Sequence, residues 1–203
     1  MNGKTSKVLK LLREYEADES SESQVSAQLA NISVIAPALK VINDLVKEQL
    51  LEDYVIGGGV AVLYYTEPVL TYDFDIICPF PHTGALIDPT PVFAYLKRKG
   101  YLFGKEDRIN IEGIPVQFIP VSEGLIEDAV KNAVKVNISG VETKILAVEY
   151  LVAIMLQLNR PKDRAKIDLL INNDEVSIDM PKLRQILTKY DLTRKWERFS
   201  DVG

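Results

Sequence analysis

The chain has little cysteine, little histidine and no long apolar run, and each scarcity removes a class of function. Cys78 is the only cysteine, so no intrachain disulfide can form and a reducing, cytoplasmic setting is expected. His82 is the only histidine; its one thiol neighbour is Cys78, and that pair makes no zinc site. No apolar stretch reaches the roughly 18 residues of a membrane span, and the opening MNGKTSKVLKLLREYE lacks the apolar centre of a signal peptide. Positive charge is short as well. With 24 Lys and Arg against 29 Asp and Glu the net charge is −5, which argues against indiscriminate nucleic-acid binding but is compatible with a local basic cleft. The sequons at Asn31 and Asn137 have no meaning in a cytoplasmic chain.

What is present suits one compact domain. The 203 residues are 47% hydrophobic and 26% charged, ample for a core with a small helical appendage. The chain is organised around YVIGGGVAVLYYTEPVLTYDFDIICP, residues 54 to 79. Val55-Ile56 reads as a strand, Gly57-Gly58-Gly59 as a turn and Val60 to Tyr65 as a short helix that Pro68 ends. TYDFDII then alternates as a strand, with Tyr72, Phe74 and Ile76 on one face and Thr71, Asp73 and Asp75 on the other.

Residues two apart on a strand lie roughly 6.5–7 Å apart at Cα, so the carboxylates of Asp73 and Asp75 converge on one small volume. Two like charges beside apolar neighbours repel and resist desolvation. A hard cation such as Mg²⁺ resolves both problems while also accepting phosphate oxygens. A glycine turn that opens a helix supplies the complementary part, because its N–H groups can hold those phosphates. Together they make a candidate site for a nucleoside triphosphate with its metal.

GGGVAVLYYTEPVLTYDFDI resembles the signature of the nucleotidyltransferase superfamily related to DNA polymerase beta. It is most similar to the minimal and AbiEii-toxin-like groups, whose pattern is a Gly-Gly or Gly-Ser turn, a short helix and Thr-x-Asp-x-Asp. A second block, VETKILAVEYLVAIMLQLNRPKDRAKIDLLI, is similar to the family's strand, helix, Arg-x-Lys-Asp and second helix. The likeness extends from about Ile32 to Phe199. It implies an α+β nucleotidyltransferase fold, a mixed β-sheet flanked by helices with a helical C-terminal part.

The same resemblance assigns residues. Gly57, Gly58, Gly59, Thr71 and Lys162 are expected at the nucleotide, Asp73 and Asp75 at Mg²⁺ (with Mn²⁺ as the alternative), and Asp73, Asp75, Gln117 and Asp163 in catalysis. Gln117 departs from the pattern, since many members carry a third carboxylate on the strand that VQFIP matches. An amide oxygen can touch a cation but is no general base at neutral pH, which argues against full two-metal catalysis. Another group can still take the nucleophile's proton. Met155 and Lys166 also depart, standing where toxin-like members often have Lys and Asp.

The rest of the chain divides into an N-terminal helix and polar linker (1–30), a nucleotidyltransferase core (31–146) and a helical C-terminal region packed on it (147–203). Gly3-Lys4-Thr5 has the ending of a P-loop but not its preceding strand or glycine. Residues 24 to 51 read as two helices broken near Asn31 to Pro37. The stripe Val34, Ile35, Leu39, Ile42, Leu45 and Val46 belongs to a core more readily than to a DNA-reading helix. PFPHTGALIDPTP is turn-rich, Val92 to Lys99 helical, and Arg108 to Val121 a hairpin turning at Glu112-Gly113. A helix over Leu125 to Val134, a second hairpin around Gly140, helices over Glu149–Leu158 and Pro161–Ile171, and one or two more over Ser177–Phe199 complete the order. Tyr64, Tyr65, Tyr72, Phe93 and Tyr95 are candidates for stacking a base, with core packing the commoner fate.

Two functions follow from these expectations. One is metal-dependent transfer of a nucleoside monophosphate from an NTP to an acceptor hydroxyl on RNA or tRNA, protein or a small molecule, releasing pyrophosphate. The other is a catalytically impaired nucleotide-binding module in a toxin–antitoxin or defence system, with an antitoxin protein as partner. No membrane partner is expected.

Overall fold

The computed structural model describes residues 32–66, 74–83, 86–102, 104 and 108–201. The expected N-terminal helix and serine-rich linker, and Thr71, Tyr72 and Asp73, lie outside the described residues. A short 3₁₀ turn, Ile32–Ile35, leads into α1 (Ala36–Lys47). The order continues β1 (Val55–Ile56), α2 (Gly58–Tyr65), β2 (Phe74–Cys78), β3 (His82–Thr83), β4 (Leu86–Ile87) and α3 (Thr90–Arg98). Then come β5 (Arg108–Ile111), β6 (Ile114–Pro120), α4 (Leu125–Lys131), β7 (Val134–Ile138), β8 (Val141–Ile145), α5 (Val148–Leu158), α6 (Pro161–Ile171), α7 (Met180–Lys189) and α8 (Thr193–Asp201).

Six strands form one mixed sheet in the order β5-β6-β2-β1-β8-β7, flanked by helices, and the α+β expectation holds. The turns set the hairpins. Glu112 and Gly113 both have positive φ (53° and 84°), as do Ser139 and Gly140 (50° and 83°). Two consecutive left-handed residues give the two-residue turn whose twist matches paired strands. The first hairpin pairs β5 with β6, the second β7 with β8. The inner pairings are β1 antiparallel to β2, β1 parallel to β8, and β2 parallel to β6.

Alternation decides which face each side chain takes. Ile56, Phe74, Ile76, Val116 and Phe118 share one face and are at most 8% exposed. α1 closes that face near β8, with Ala38, Leu39, Ile42 and Leu45 buried and Asn43 Nδ2 donating to the Glu142 carbonyl (3.1 Å). Of the apolar stripe read from the sequence, Ile35, Leu39, Ile42 and Leu45 are core, Val46 is half-buried, and Val34 in the 3₁₀ turn is exposed. α3 closes the other end through the ring chain Phe80–Phe93–Phe118. α5 is buried from Val148 to Leu156, which explains its lack of a polar side, and packs against α6 and α7. Its one buried acid, Glu149, is answered: the carboxylate accepts from Asp179 N–H and Lys182 Nζ, both at 3.0 Å.

Two expectations about segments are refined. The turn-rich stretch after β2 contains the small β3–β4 hairpin, closed where Asp88 N–H donates to the Pro81 carbonyl (2.8 Å). Residues 177–199 resolve into two helices, because Asp191 takes a left-handed φ of 55° between them.

Candidate functional site

The site begins with a hydrogen bond that sets register. β1 pairs with β2 so that Ile56 faces Ile76, and the next step brings Gly57 N–H onto the Asp75 carbonyl at 2.9 Å. The chain then turns into α2. Gly57 is extended (φ −120°), Gly58 is left-handed (φ +55°), and Ala61 N–H makes a helical bond to the Gly57 carbonyl (3.1 Å). No side chain caps this helix. The first N–H groups of any helix have no acceptor inside it, and here the nearest anion comes from another strand. A Cβ built on Gly58 would fall 1.7 Å from Asp75 Oδ2 and 2.7 Å from its Cγ. The Asp75 carboxylate therefore lies directly over Gly58, at the helix end that carries partial positive charge.

Across the sheet, Asp75 pairs with Gln117 on β6, and Gln117 with Arg108 on β5. Directly opposed residues share a face, so acid, amide and guanidinium form a row. That face is open. Arg108, Asn110, Pro115, Gln117 and Ile119 all keep some exposure, whereas Ile109, Ile111, Ile114, Val116 and Phe118 on the reverse are at most 8% exposed. Polar residues on an otherwise apolar pair of strands thus lie together on the side that keeps exposure; nearer β1 the same face closes, with Val55 and Ile77 at most 5% exposed.

The structure thus brings Gly57, Gly58, Asp75 and Gln117 together. Asp73 and Thr71 lie outside the described residues. Gly59 is buried in the first turn of α2. Lys162 and Asp163 stand at the start of α6, which packs against α5 and α2. Asp163 is 2% exposed, and its carboxylate accepts from Arg160 N–H (3.3 Å), Nε (2.7 Å) and Nη2 (3.0 Å). Met155 is buried at 4% exposure, the core role read for it.

Among the described residues no cluster of three or more His, Cys, Asp and Glu is placed to hold a metal. The donors on the open face are hard oxygens, the Asp75 carboxylate and the Gln117 amide, which suit Mg²⁺ or Mn²⁺. Cys78 lies on the reverse face of β2, where burial pushes its thiol up to about 12 and keeps it protonated. Phe93 belongs to the closed face, and Tyr65 holds α2 by donating its hydroxyl to the Leu146 carbonyl (2.9 Å). Tyr64 is the more exposed of that tyrosine pair.

Arg108 is the site residue that the sequence reading placed only as the first residue of a hairpin. The signal was available: with the turn fixed at Glu112-Gly113, Ile111 faces Ile114, and counting back sets Arg108 opposite Gln117. A separate cavity of about 490 Å³ lies between α1 and the β7–β8 hairpin, on the reverse face. Its polar floor is internally bonded: Thr143 Oγ1 donates to Tyr54 OH (3.0 Å), which donates to Asn43 Oδ1 (2.7 Å), and Lys144 pairs with Asp53. Burial pushes the Tyr54 phenol up to about 12.

No protein-family profile matches the chain, and no curated protein matches it. Among solved structures, the chain is similar to an antigenic nucleotidyltransferase-like protein from Paracoccidioides brasiliensis, at 14% identity over 84% of this chain and 91% of that one, with a TM-score of 0.49.

Proposed function

We propose that this protein is a metal-dependent nucleotidyltransferase that moves a nucleoside monophosphate from an NTP to an acceptor hydroxyl. One observation carries the reading: the Asp75 carboxylate lies over left-handed Gly58 at the uncapped start of α2, on the open face of the sheet. Helix N–H groups and a hard carboxylate side by side suit a ligand that is both polyanionic and metal-bound. A triphosphate with its cation is such a ligand.

In this reading Gly58 and Gly59 bring backbone N–H groups to the phosphates and carry no side chain of their own, while Gly57 N–H stays on the Asp75 carbonyl and holds the turn in register. Asp75, together with Asp73, would hold Mg²⁺ or Mn²⁺; when bound, the cation supplies Lewis-acid stabilisation of charge on the phosphate oxygens. The acceptor oxygen forms a bond to the α-phosphorus and gives up its proton to solvent water, the bond from that phosphorus to the bridging oxygen breaks, and pyrophosphate leaves with the electron pair. Lys162 adds positive charge from the neighbouring helix, and Thr71 would add a hydroxyl. Asp163 contributes by fixing the start of α6.

A transfer assay tests this. Each α-labelled NTP is offered with Mg²⁺ or Mn²⁺ to separate pools of RNA including tRNA, protein extract and small molecules, with Asp75→Asn run alongside. Label in one pool, reduced at least a hundredfold in Asp75→Asn, is the expected outcome. Label that survives the substitution unchanged would remove Asp75 from the mechanism and the reading with it.

Gln117 favours a second reading. It stands directly across from Asp75, where a proton acceptor would serve, and its amide cannot take a proton at neutral pH. A protein of this kind would bind NTP without transferring it, acting as a nucleotide-responsive partner of an antitoxin or other defence protein. Binding of NTP with no labelled product in any pool supports that role, and a clean product excludes it.

A further inference from the structure

We propose that Arg108 is a triphosphate-binding residue of this site, reaching from β5 across Gln117 to take phosphate oxygens that extend beyond Asp75; the inference rests on the nucleotidyltransferase reading. Three observations place it there. The register sets Arg108, Gln117 and Asp75 in one row on one face. That face is the one with exposure on both β5 and β6. Arg108 Nε is buried although the residue as a whole is not, so the side chain lies down on the sheet with its inner part covered.

The spacing suits the ligand. Neighbouring strands are 4.7–4.9 Å apart, so the Cα atoms of Asp75 and Arg108 are separated by roughly 10 Å, a span that a phosphate chain and an extended arginine bridge between them. The start of α2 and Arg108 thus stand on opposite sides of Asp75, one offering N–H groups and the other a planar fork of donors. Arginine binds phosphate in a bidentate, charge-assisted way that a point charge does not reproduce. Gln117 also makes sense in this row. A carboxylate at position 117 would lie directly opposite the guanidinium and compete with phosphate for it, whereas an amide does not. The face then runs acid, neutral, base, with a fixed organic cation on the side where a further metal ligand would otherwise stand.

The consequence is selectivity by phosphate number. Arg108 contributes little to a nucleoside monophosphate held near α2 and much to the full triphosphate. Calorimetric titration with the preferred NTP, its di- and monophosphate, and inorganic tripolyphosphate, each with Mg²⁺, reads this directly in wild type, Arg108→Met and Arg108→Lys. Thermal melting establishes that each variant is folded. Arg108→Met is expected to weaken NTP and tripolyphosphate about 10–100-fold and the monophosphate less than threefold, with Arg108→Lys intermediate for the NTP. If Arg108→Met does not fold, Arg108→Lys carries the test with the same graded order. Unchanged NTP affinity, or an equal loss for mono- and triphosphate, overturns the assignment while leaving the site reading intact. A wild type that binds none of the four NTPs overturns both.

Discussion

Two helices in this protein start with opposite solutions to the same problem. α6 carries its own anion: Asp163 folds back onto Arg160 N–H, pairs with the Arg160 guanidinium and is 2% exposed. α2 has no polar side chain in its first turn, only Gly57, Gly58 and Gly59, and meets the Asp75 carboxylate from β2. Both starts place negative charge near unsatisfied N–H groups, which is favourable at any helix N-terminus. They differ in what a newcomer would find. At α6 the anion belongs to the helix turn and is buried, so the end is closed. At α2 the anion sits on an open sheet face, and the turn itself has been stripped of side chains. On the proposed function, the open end of α2 is where the ligand would bind.

The strongest way to break the comparison is to give α2 a side chain. In Gly58→Ala the new Cβ would stand 1.7 Å from Asp75 Oδ2, so the carboxylate must swing off the helix end. The left-handed φ of +55° adds a cost of its own. With about 1–2 kcal/mol for the backbone and 1–3 kcal/mol for the crowding, a loss of roughly 2–5 kcal/mol is expected in urea unfolding. A double-mutant cycle sharpens the origin. In an Asp75→Ala background the crowding term should vanish and only the backbone term remain, giving a coupling on the order of 1–3 kcal/mol. A coupling near zero would mean that Asp75 and Gly58 do not share that space.

The complementary break is Asp163→Ala at α6. Removing the cap leaves Arg160 N–H without its side-chain partner, but the Arg160 side chain is 51% exposed and can turn to water. The cost is therefore that of a cap with part of an ion pair, about 2 kcal/mol, rather than that of stranding a buried charge. Asp163→Asn keeps an acceptor and should lose about half as much. Nucleotide affinity measured on the folded variants should stay within threefold of wild type. A large selective loss of affinity would instead place Asp163 at the ligand.

How much of this was legible in sequence depended on the range of the interaction. Alternation in FDII and IPVQFIP placed Asp75 and Gln117 opposite the core residues, because a strand has only two faces and the apolar set must take the buried one. The hairpin turns were readable because Glu112-Gly113 and Ser139-Gly140 adopt the positive φ such turns require. The closure of α6 was half legible: Pro161 marked the helix start and Asp163 suited its dipole, but the fold-back onto Arg160 is a matter of side-chain geometry. What could not be read locally was pairing between distant strands. That β2 lies parallel to β6, with Asp75 level with Gln117, joins segments separated by a hairpin, a helix and the strand β5, and nothing in either segment's own propensity fixes that register. The resemblance to nucleotidyltransferases suggested the neighbourhood of Asp75 and Gln117. Counting back from the Glu112-Gly113 turn sets Arg108 opposite Gln117, and the β2–β6 register then extends that row to Asp75.

The smallest expected effect is the sharpest control, because it lies one residue from the largest. Gly57 has an ordinary extended φ of −120°, so alanine there carries no left-handed penalty. Its Cβ would meet Ile77 Cδ1 at 2.8 Å, Ile77 Cγ1 at 3.4 Å and Leu146 Cδ1 at 3.5 Å, and the closest of these is the far end of a side chain that can rotate. Against that crowding stands the gain from restricting the unfolded chain, about 0.4–1 kcal/mol for glycine to alanine at a compatible position. The two nearly cancel, and Gly57→Ala should unfold within about 1 kcal/mol of wild type. Nucleotide binding should also persist, since the new methyl points towards Ile77 and Leu146 rather than towards Asp75. If Gly57→Ala instead destabilised the protein as much as Gly58→Ala, the turn as a whole would be the determinant, and the particular seat of Asp75 on Gly58 would not.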